Sequence, residues 1–409
     1  MGKAVHIEPK ELSLIKICLG FVFALVVFPS NFKAIVILIF ALVLIYFALK
    51  NGMIINKQYF FVQALFYFTL LATLLYSENL SYAFKKLQTM SSLIVFPLLF
   101  SFFSKRFKED LLENRYRYLQ VYIITVFLLN VFVFLFFWSN YFSFKDTLIH
   151  MPEIVNVRLG KYGIHPIYIS MHCALALLFS AVVFVKCKRP GTKLGLLLIQ
   201  LVLLAFLMIY ARKGPIIALV GTILISSILF VRKNYRILVF FALLLMLVLI
   251  FAIPNTRDRF KELLTTEDLA EKNANSTDLR QAIYTEAIGL IQKSPVFGYG
   301  IGDYNDKLKQ SYKEKDLVFL LEKNYNAHNQ YLSSWLIGGL FSFLALVFLL
   351  GRNFFLSVKY KNHLLFLVVT FYMIVMFTEN ILEREDGVIF FSLFLNYFAL
   401  LNYKPLAEK

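Results

Sequence analysis

His328 stands in Tyr325-Asn326-Ala327-His328-Asn329-Gln330-Tyr331-Leu332, where a polar segment runs into a long apolar one. A neutral imidazole at such a boundary accepts a proton from a hydroxyl near pH 7, although a purely structural histidine fits the same position. Arg212 and Lys213 make a cationic turn, Ala211-Arg212-Lys213-Gly214-Pro215, between two apolar runs. A guanidinium is always charged and grips phosphate oxygens through paired hydrogen bonds, so the turn reads as an anion clamp. Snorkelling of both long side chains towards lipid headgroups is the alternative.

A third cation, Arg280, follows Ser276-Thr277-Asp278-Leu279, in which Asp278 and Gln281 mark a helix start. Leu279, Ile283, Ala287, Leu290 and Ile291 then recur at helical spacing, as in an amphipathic helix lying along a membrane surface. A cation in a first turn opposes the helix dipole, a cost that a bound anion removes. A solvated surface arginine is the alternative. Arg158 and His165 flank a glycine-containing loop and are candidates for ligand contact or for a structural role. Glu379 and Glu383 lie four apart on one helical face, and carboxylates near a membrane boundary call for pairing with an arginine. The glycine series from Pro295 to Tyr304 follows no strand, so it reads as a close backbone turn rather than a dinucleotide site.

The elements that must position these residues are membrane helices. Of 409 residues, 59% are hydrophobic and 16% charged, and the mean hydropathy is +0.70. Soluble domains carry about 45–50% apolar and about 25% charged residues, so a soluble enzyme is excluded. Cys18, Cys173 and Cys187 make neither a metal-binding spacing nor a disulfide framework. Apolar runs give about twelve spans, near 12–29, 34–49, 59–76, 88–103, 118–138, 165–187, 194–211, 215–231, 237–253, 330–350, 363–380 and 388–403. The first is expected to be retained, because no small-residue cleavage site follows it. The expected fold is an all-α polytopic membrane protein, with spans one to nine over 1–253, a mostly helical cap over 254–329, and spans ten to twelve over 330–409.

With both termini in the cytoplasm, the inner segments hold 21 Lys and Arg and the short outer loops nine. That asymmetry obeys the positive-inside rule and turns the cap outward. The net charge of +17 therefore belongs to membrane topology rather than to nucleic-acid binding.

Taken together, the residues resemble the O-antigen ligase and O-antigen polymerase superfamily of bacterial envelope proteins. The resemblance is carried by the Arg212–Pro215 turn, by Arg280 followed by Lys-Ser-Pro-Val-Phe-Gly-Tyr-Gly-Ile-Gly, by Ala-His-Asn-Gln-Tyr-Leu and by Gly338-Gly339, in that order. Lys213 departs from it, since many relatives have a small residue after the arginine. The resemblance implies a metal-independent, inverting glycosyltransferase without cofactors, set in the inner membrane with its site facing the periplasm. Its donor would be a glycan on undecaprenyl pyrophosphate and its acceptor a lipid A-core hydroxyl, in lipopolysaccharide biosynthesis. His328, Arg212 and Arg280 would be catalytic, with Arg158, His165, Lys213, Asn329 and Tyr331 contacting substrate and Glu379 and Glu383 in structural pairs.

A polymerase using a second lipid-linked glycan as acceptor is the alternative within that family. A twelve-helix transporter is the rival outside it. Such transporters commonly have a long cytoplasmic linker between two six-helix halves, whereas here the middle loop is only Lys188 to Lys193. A lipid-glycan flippase needs cations inside its spans, and Lys16 is the nearest case.

Overall fold

The computed structural model describes residues 9–103, 105–140, 143–158, 163–263, 276–400 and 402. The protein is all-α and polytopic. Its helices, in chain order, begin with α1 (Pro9–Phe23), α2 (Ser30–Lys50), α3 (Lys57–Ala72), α4 (Leu80–Thr89), α5 (Ser92–Ser101) and α6 (Lys105–Asn140). They continue through α7 (Phe144–Arg158), α8 (Pro166–Lys186), α9 (Pro190–Tyr210), α10 (Lys213–Phe230), α11 (Lys233–Ala252) and α12 (Pro254–Lys261). The last are α13 (Ser276–Lys293), α14 (Tyr304–Glu314), α15 (Val318–Glu322), α16 (Gln330–Lys359), α17 (His363–Val375) and α18 (Glu385–Leu400). Ile54–Ile55 and Phe102–Phe103 add a two-residue antiparallel pairing.

Among the described residues, eight helices are long and apolar enough to cross a bilayer: α2, α3 with the turn after it, the Phe107–Asn140 part of α6, α8, α9, α10, α11 and α16. This corrects the expectation of about twelve. The runs at 12–29, 88–103, 363–380 and 388–403 fall on α1, α5, α17 and α18, which have 15, 10, 13 and 16 residues. At 1.5 Å per residue these reach about 15–24 Å, short of the ~30 Å hydrocarbon core. Local breaks account for two of them. A turn at Met90-Ser91 separates α4 from α5, and α17 stops at Val375, after which the chain is irregular to Asn380.

The chain forms two compact units, each discontinuous in sequence. The first comprises Met1–Asn56, Leu98–Arg257 and Leu400–Lys409, and the second Lys57–Pro97 and Asp258–Ala399. In the first unit α8 is the central helix, with 78% of its most apolar window buried, and it packs on α6, α9 and α10. By contrast α11 is 11% buried over its window, and it turns an almost continuous apolar surface outward, as a lipid-facing helix does. Helix α7 forms inside what the sequence reading treats as an outer loop. Thr147, Met151 and Val155, four residues apart, bury one of its faces.

In the second unit α16 packs on α3, α13 and α17. Gln63 and Asn353 exchange two amide hydrogen bonds, of 3.1 and 3.2 Å, between α3 and α16. Such a reciprocal pair leaves neither amide unsatisfied in an apolar setting. Helix α16 is broken at Gly338-Gly339, and Gly339 adopts φ 58°, ψ −151°, a conformation open essentially to glycine alone.

The glycine series reads as a close turn, and it fills that break. The Tyr299 and Gly300 N–H groups donate to the Leu336 and Ile337 carbonyls at 2.8 Å. In return the Leu340 N–H donates to the Pro295 and Val296 carbonyls at 3.0 and 3.1 Å. The carbonyls and N–H groups freed by the break are thus taken up by the loop. Contact is close enough that a Cβ on Gly339 would overlap the Val296 carbonyl, and one on Gly298 would lie 2.6 Å from the Gly339 nitrogen.

Candidate functional site

The short segment around His328 explains itself residue by residue. Asn326 Oδ1 accepts from the His328 N–H at 3.1 Å, an Asx turn that carries His328 into the left-handed region at φ 43°. Histidine is among the residues enriched there. Asn329 then caps α16, its Oδ1 accepting from the Tyr331 and Leu332 N–H groups at 3.0 and 3.2 Å. The Gln330 N–H donates to the Met376 carbonyl at 2.9 Å. The first free N–H groups of α16 are therefore already satisfied, and anion binding falls to side chains.

Three further contacts hold the backbone around the imidazole. Tyr284 places its hydroxyl 2.7 Å from the Phe377 carbonyl and 3.1 Å from that of His328. Burial raises the pKa of Tyr284, with Arg280 lowering it and Glu379 raising it, so the phenol stays a donor. The Asn329 N–H donates to Asn380 Oδ1 at 2.7 Å.

Glu379 joins the two ionisable candidates of the second unit. Its Oε1 accepts from Arg280 Nη2 at 3.1 Å, and its Oε2 lies 3.4 Å from His328 Nδ1. Their side chains are 25% exposed for Arg280, 24% for His328 and 12% for Glu379. Arg280 is the fifth residue of α13, and Glu379 supplies a counter-charge that offsets its position in the helix dipole. Its Nη1 makes a long 3.4 Å bond to the Ser276 carbonyl, and its Nε is buried without a hydrogen-bond partner among the described residues. The second N–H on each of Nη1 and Nη2 is left for an anion. The Tyr325 ring stands edge-on to the imidazole, with centroids 5.4 Å apart.

Glu383 is paired elsewhere: it faces Lys86 at 3.4 Å and accepts from Asn380 at 2.9 Å. Asn329 acts through its cap and its N–H, and the Tyr331 hydroxyl donates to the Met373 carbonyl at 2.9 Å.

The remaining candidates belong to the first unit. Helix α9 ends with Ala211 in the left-handed conformation at φ 49°, and Arg212, extended, opens α10. Thr256 Oγ1 and Asn255 Nδ2 cap the Met208 and Ile209 carbonyls that α9 leaves unpaired, at 2.8 and 3.5 Å. Arg212 is half-buried and donates from Nη2 to the Pro152 carbonyl of α7 at 3.3 Å, while Lys213 starts α10, also half-buried. His165 caps α8, accepting from the Ile167 N–H at 3.4 Å. The Arg158 side chain lies outside the described residues.

Sequence reasoning overlooked Tyr284, Asn326 and Asn380. The first two leave a signal, Tyr284 standing one helical turn after Arg280 and Asn326 two residues before His328. Asn380 leaves none, because its partner is 51 residues away.

An α-helical membrane protein with an arginine and a histidine on one carboxylate is equipped to hold an anionic group beside a hydroxyl. Residues 196–347 match the family model described as O-antigen ligase, so this stretch is similar to that family. The match includes Arg212, Arg280 and His328 and ends before Glu379. An uncharacterized protein of Haemophilus influenzae (strain ATCC 51907 / DSM 11121 / KW20 / Rd) is 26% identical over 220 residues, covering 52% of this chain and 53% of that relative. The chain spans about half the length of this curated relative.

Proposed function

We propose that the protein is a metal-independent, inverting glycosyltransferase that moves a glycan from undecaprenyl pyrophosphate to a lipid A-core hydroxyl, at the periplasmic face of the inner membrane. The observation that supports this reading best is the Arg280–Glu379–His328 arrangement, with Glu379 3.1 Å from one and 3.4 Å from the other. Glu379 Oε2, 3.4 Å from Nδ1 without a hydrogen bond to it, stabilises the imidazolium that forms when Nε2 takes the proton. The acceptor hydroxyl oxygen bonds to the anomeric carbon as its proton passes to His328. On the opposite side the bond from that carbon to the pyrophosphate oxygen breaks, which inverts the centre. Arg280, with a second N–H on each terminal nitrogen, meets the negative charge that builds on the departing diphosphate.

From a cytoplasmic N-terminus, alternation through the seven membrane-length helices up to α11 puts the segment after it outside, which supports the periplasmic orientation. Arg212 is read from its motif as a diphosphate ligand, and Arg212→Ala tests it independently of the His328 cluster. The test of the whole reading uses purified protein in liposomes with undecaprenyl-pyrophosphate glycan and EDTA, with or without lipid A-core. Product that requires lipid A-core is the expected result. Lengthening of the lipid-linked glycan alone would make the protein a polymerase, and no transfer to either acceptor would refute the glycosyltransferase reading.

A further inference from the structure

Glu383 is 4% exposed and is surrounded by donors. Its Oε1 accepts from Asn380 Nδ2 at 2.9 Å and from the Ser333 hydroxyl. Its Oε2 accepts from the Tyr304 hydroxyl and faces Lys86 Nζ at 3.4 Å. Burial, with the Glu383 charge adding to it, holds the Tyr304 pKa well above the usual tyrosine value, so the phenol remains a donor. A carboxylate accepts on both oxygens, which is what two donors on each side require.

Asn380 carries this arrangement to the candidate site. Its Nδ2 is committed to Glu383, which fixes the amide flip so that Oδ1 faces the Asn329 N–H at 2.7 Å. Asn329 directly follows His328, whose left-handed backbone depends on what holds it from either side. Near this link the Leu382 N–H donates to Gln330 Oε1 at 2.7 Å, which ties the turn after α17 to the start of α16. Glu379 sits in that same turn, one residue before Asn380.

We propose that Glu383 is a positioning residue for His328, acting through Asn380 and the Asn329 amide, and that its ion pair with Lys86 serves this purpose. The inference rests on the reading of His328 as the base. Glutamine at 383 accepts on one side only, so one pair of donors would face an amide NH₂. If that pair includes Asn380, its amide loses the bond that fixes its flip. If it is Tyr304 and Lys86, a half-buried cation loses its counter-charge and the side chain at 383 shifts. Either way the Asn329 amide loses its fixed acceptor and His328 leaves its place beside Glu379.

The test uses full-length protein in liposomes and reads two quantities for Glu383→Gln. Hydrogen exchange of peptides covering 327–334, followed by mass spectrometry, reports the Asn329 amide and its neighbours. Transfer from undecaprenyl-pyrophosphate glycan reports kcat and KM. The expected result is exchange about 10-fold faster in that peptide, with kcat about 10-fold to 100-fold lower and KM for the donor within about twofold of wild type. The charge-conserving swap Asn380→Asp with Glu383→Gln restores an amide–carboxylate bond with its roles exchanged, and it is expected to recover most of both losses. Should Glu383→Gln fail to accumulate, Asn380→Ala removes the link while leaving three donors on Glu383, and the same split is expected.

Unchanged exchange at 327–334 would overturn the proposal whatever the activity. Faster exchange with normal kcat would overturn it too, as would a swap variant no better than the single one. Full transfer by His328→Ala would instead refute the reading of the base, and the exchange result would stand apart from it.

Discussion

Substituting alanine for Gly339 should unfold the second unit or open the glycine loop from α16. The magnitude follows from two independent terms. Gly339 sits at φ 58°, ψ −151°, and an L-residue forced there costs about 1–3 kcal/mol. The new Cβ would overlap the Val296 carbonyl, so the loop must withdraw. Withdrawal puts at risk the Tyr299–Leu336, Gly300–Ile337 and Leu340–Pro295 backbone bonds, and the 2.8 Å bond from Trp335 Nε1 to the Pro295 carbonyl. Each is worth about 0.5–1.5 kcal/mol net, and more if a group is left buried without a partner. The combined loss of about 3–9 kcal/mol is a large part of the roughly 5–15 kcal/mol that holds a domain folded. Gly351, on the same helix, supplies the control, because a Cβ there meets nothing within 4 Å. Gly351→Ala should be neutral or stabilising by up to about 1 kcal/mol. Titration with SDS in mixed micelles, with cleavage of the 295–300 loop by a protease, compares the two variants directly. Stabilities for Gly339→Ala and Gly351→Ala that agree within about 1 kcal/mol would refute the reasoning.

Arg280→Lys should lower kcat/KM for the lipid-linked donor almost as much as Arg280→Ala, since an ammonium cannot hold Glu379 and a diphosphate with one planar fork; recovery to near wild type would remove the bidentate role. Gln63→Leu and Asn353→Leu should each destabilise by about 1–3 kcal/mol by stranding the partner's amide, and the double variant should cost less than either, as a thermal or SDS-unfolding double-mutant cycle will measure. Tyr284→Phe removes a hydroxyl lying against both the Phe377 and His328 carbonyls, so unfolding should be easier by about 1 kcal/mol and exchange at 327–334 faster.

How much of this was legible in the sequence depends on the range of each interaction. The helical class follows from composition, and the Asn326 and Asn329 turns follow from residues within three positions of their partners. The glycine series was readable as a close turn, but its insertion into α16 depends on Gly338-Gly339, some 40 residues later. The number of membrane-length helices was misread, because hydropathy counts apolar residues and misses a break such as Met90-Ser91 or the end of α17 at Val375. For Glu379 the sequence suggested pairing with an arginine, while its second contact, to a histidine 51 residues earlier, had no local sign.

The central claim is that His328 takes the acceptor proton in glycan transfer, and the most direct measurement compares wild type with His328→Ala in the same liposomes. Both receive undecaprenyl-pyrophosphate glycan and lipid A-core, at equal amounts of folded protein checked by protease resistance of the second unit. Removing a general base costs about 10²–10⁴-fold, so the variant is expected to retain no more than about 1% of the wild-type rate. A rate within a few-fold of wild type would contradict the account.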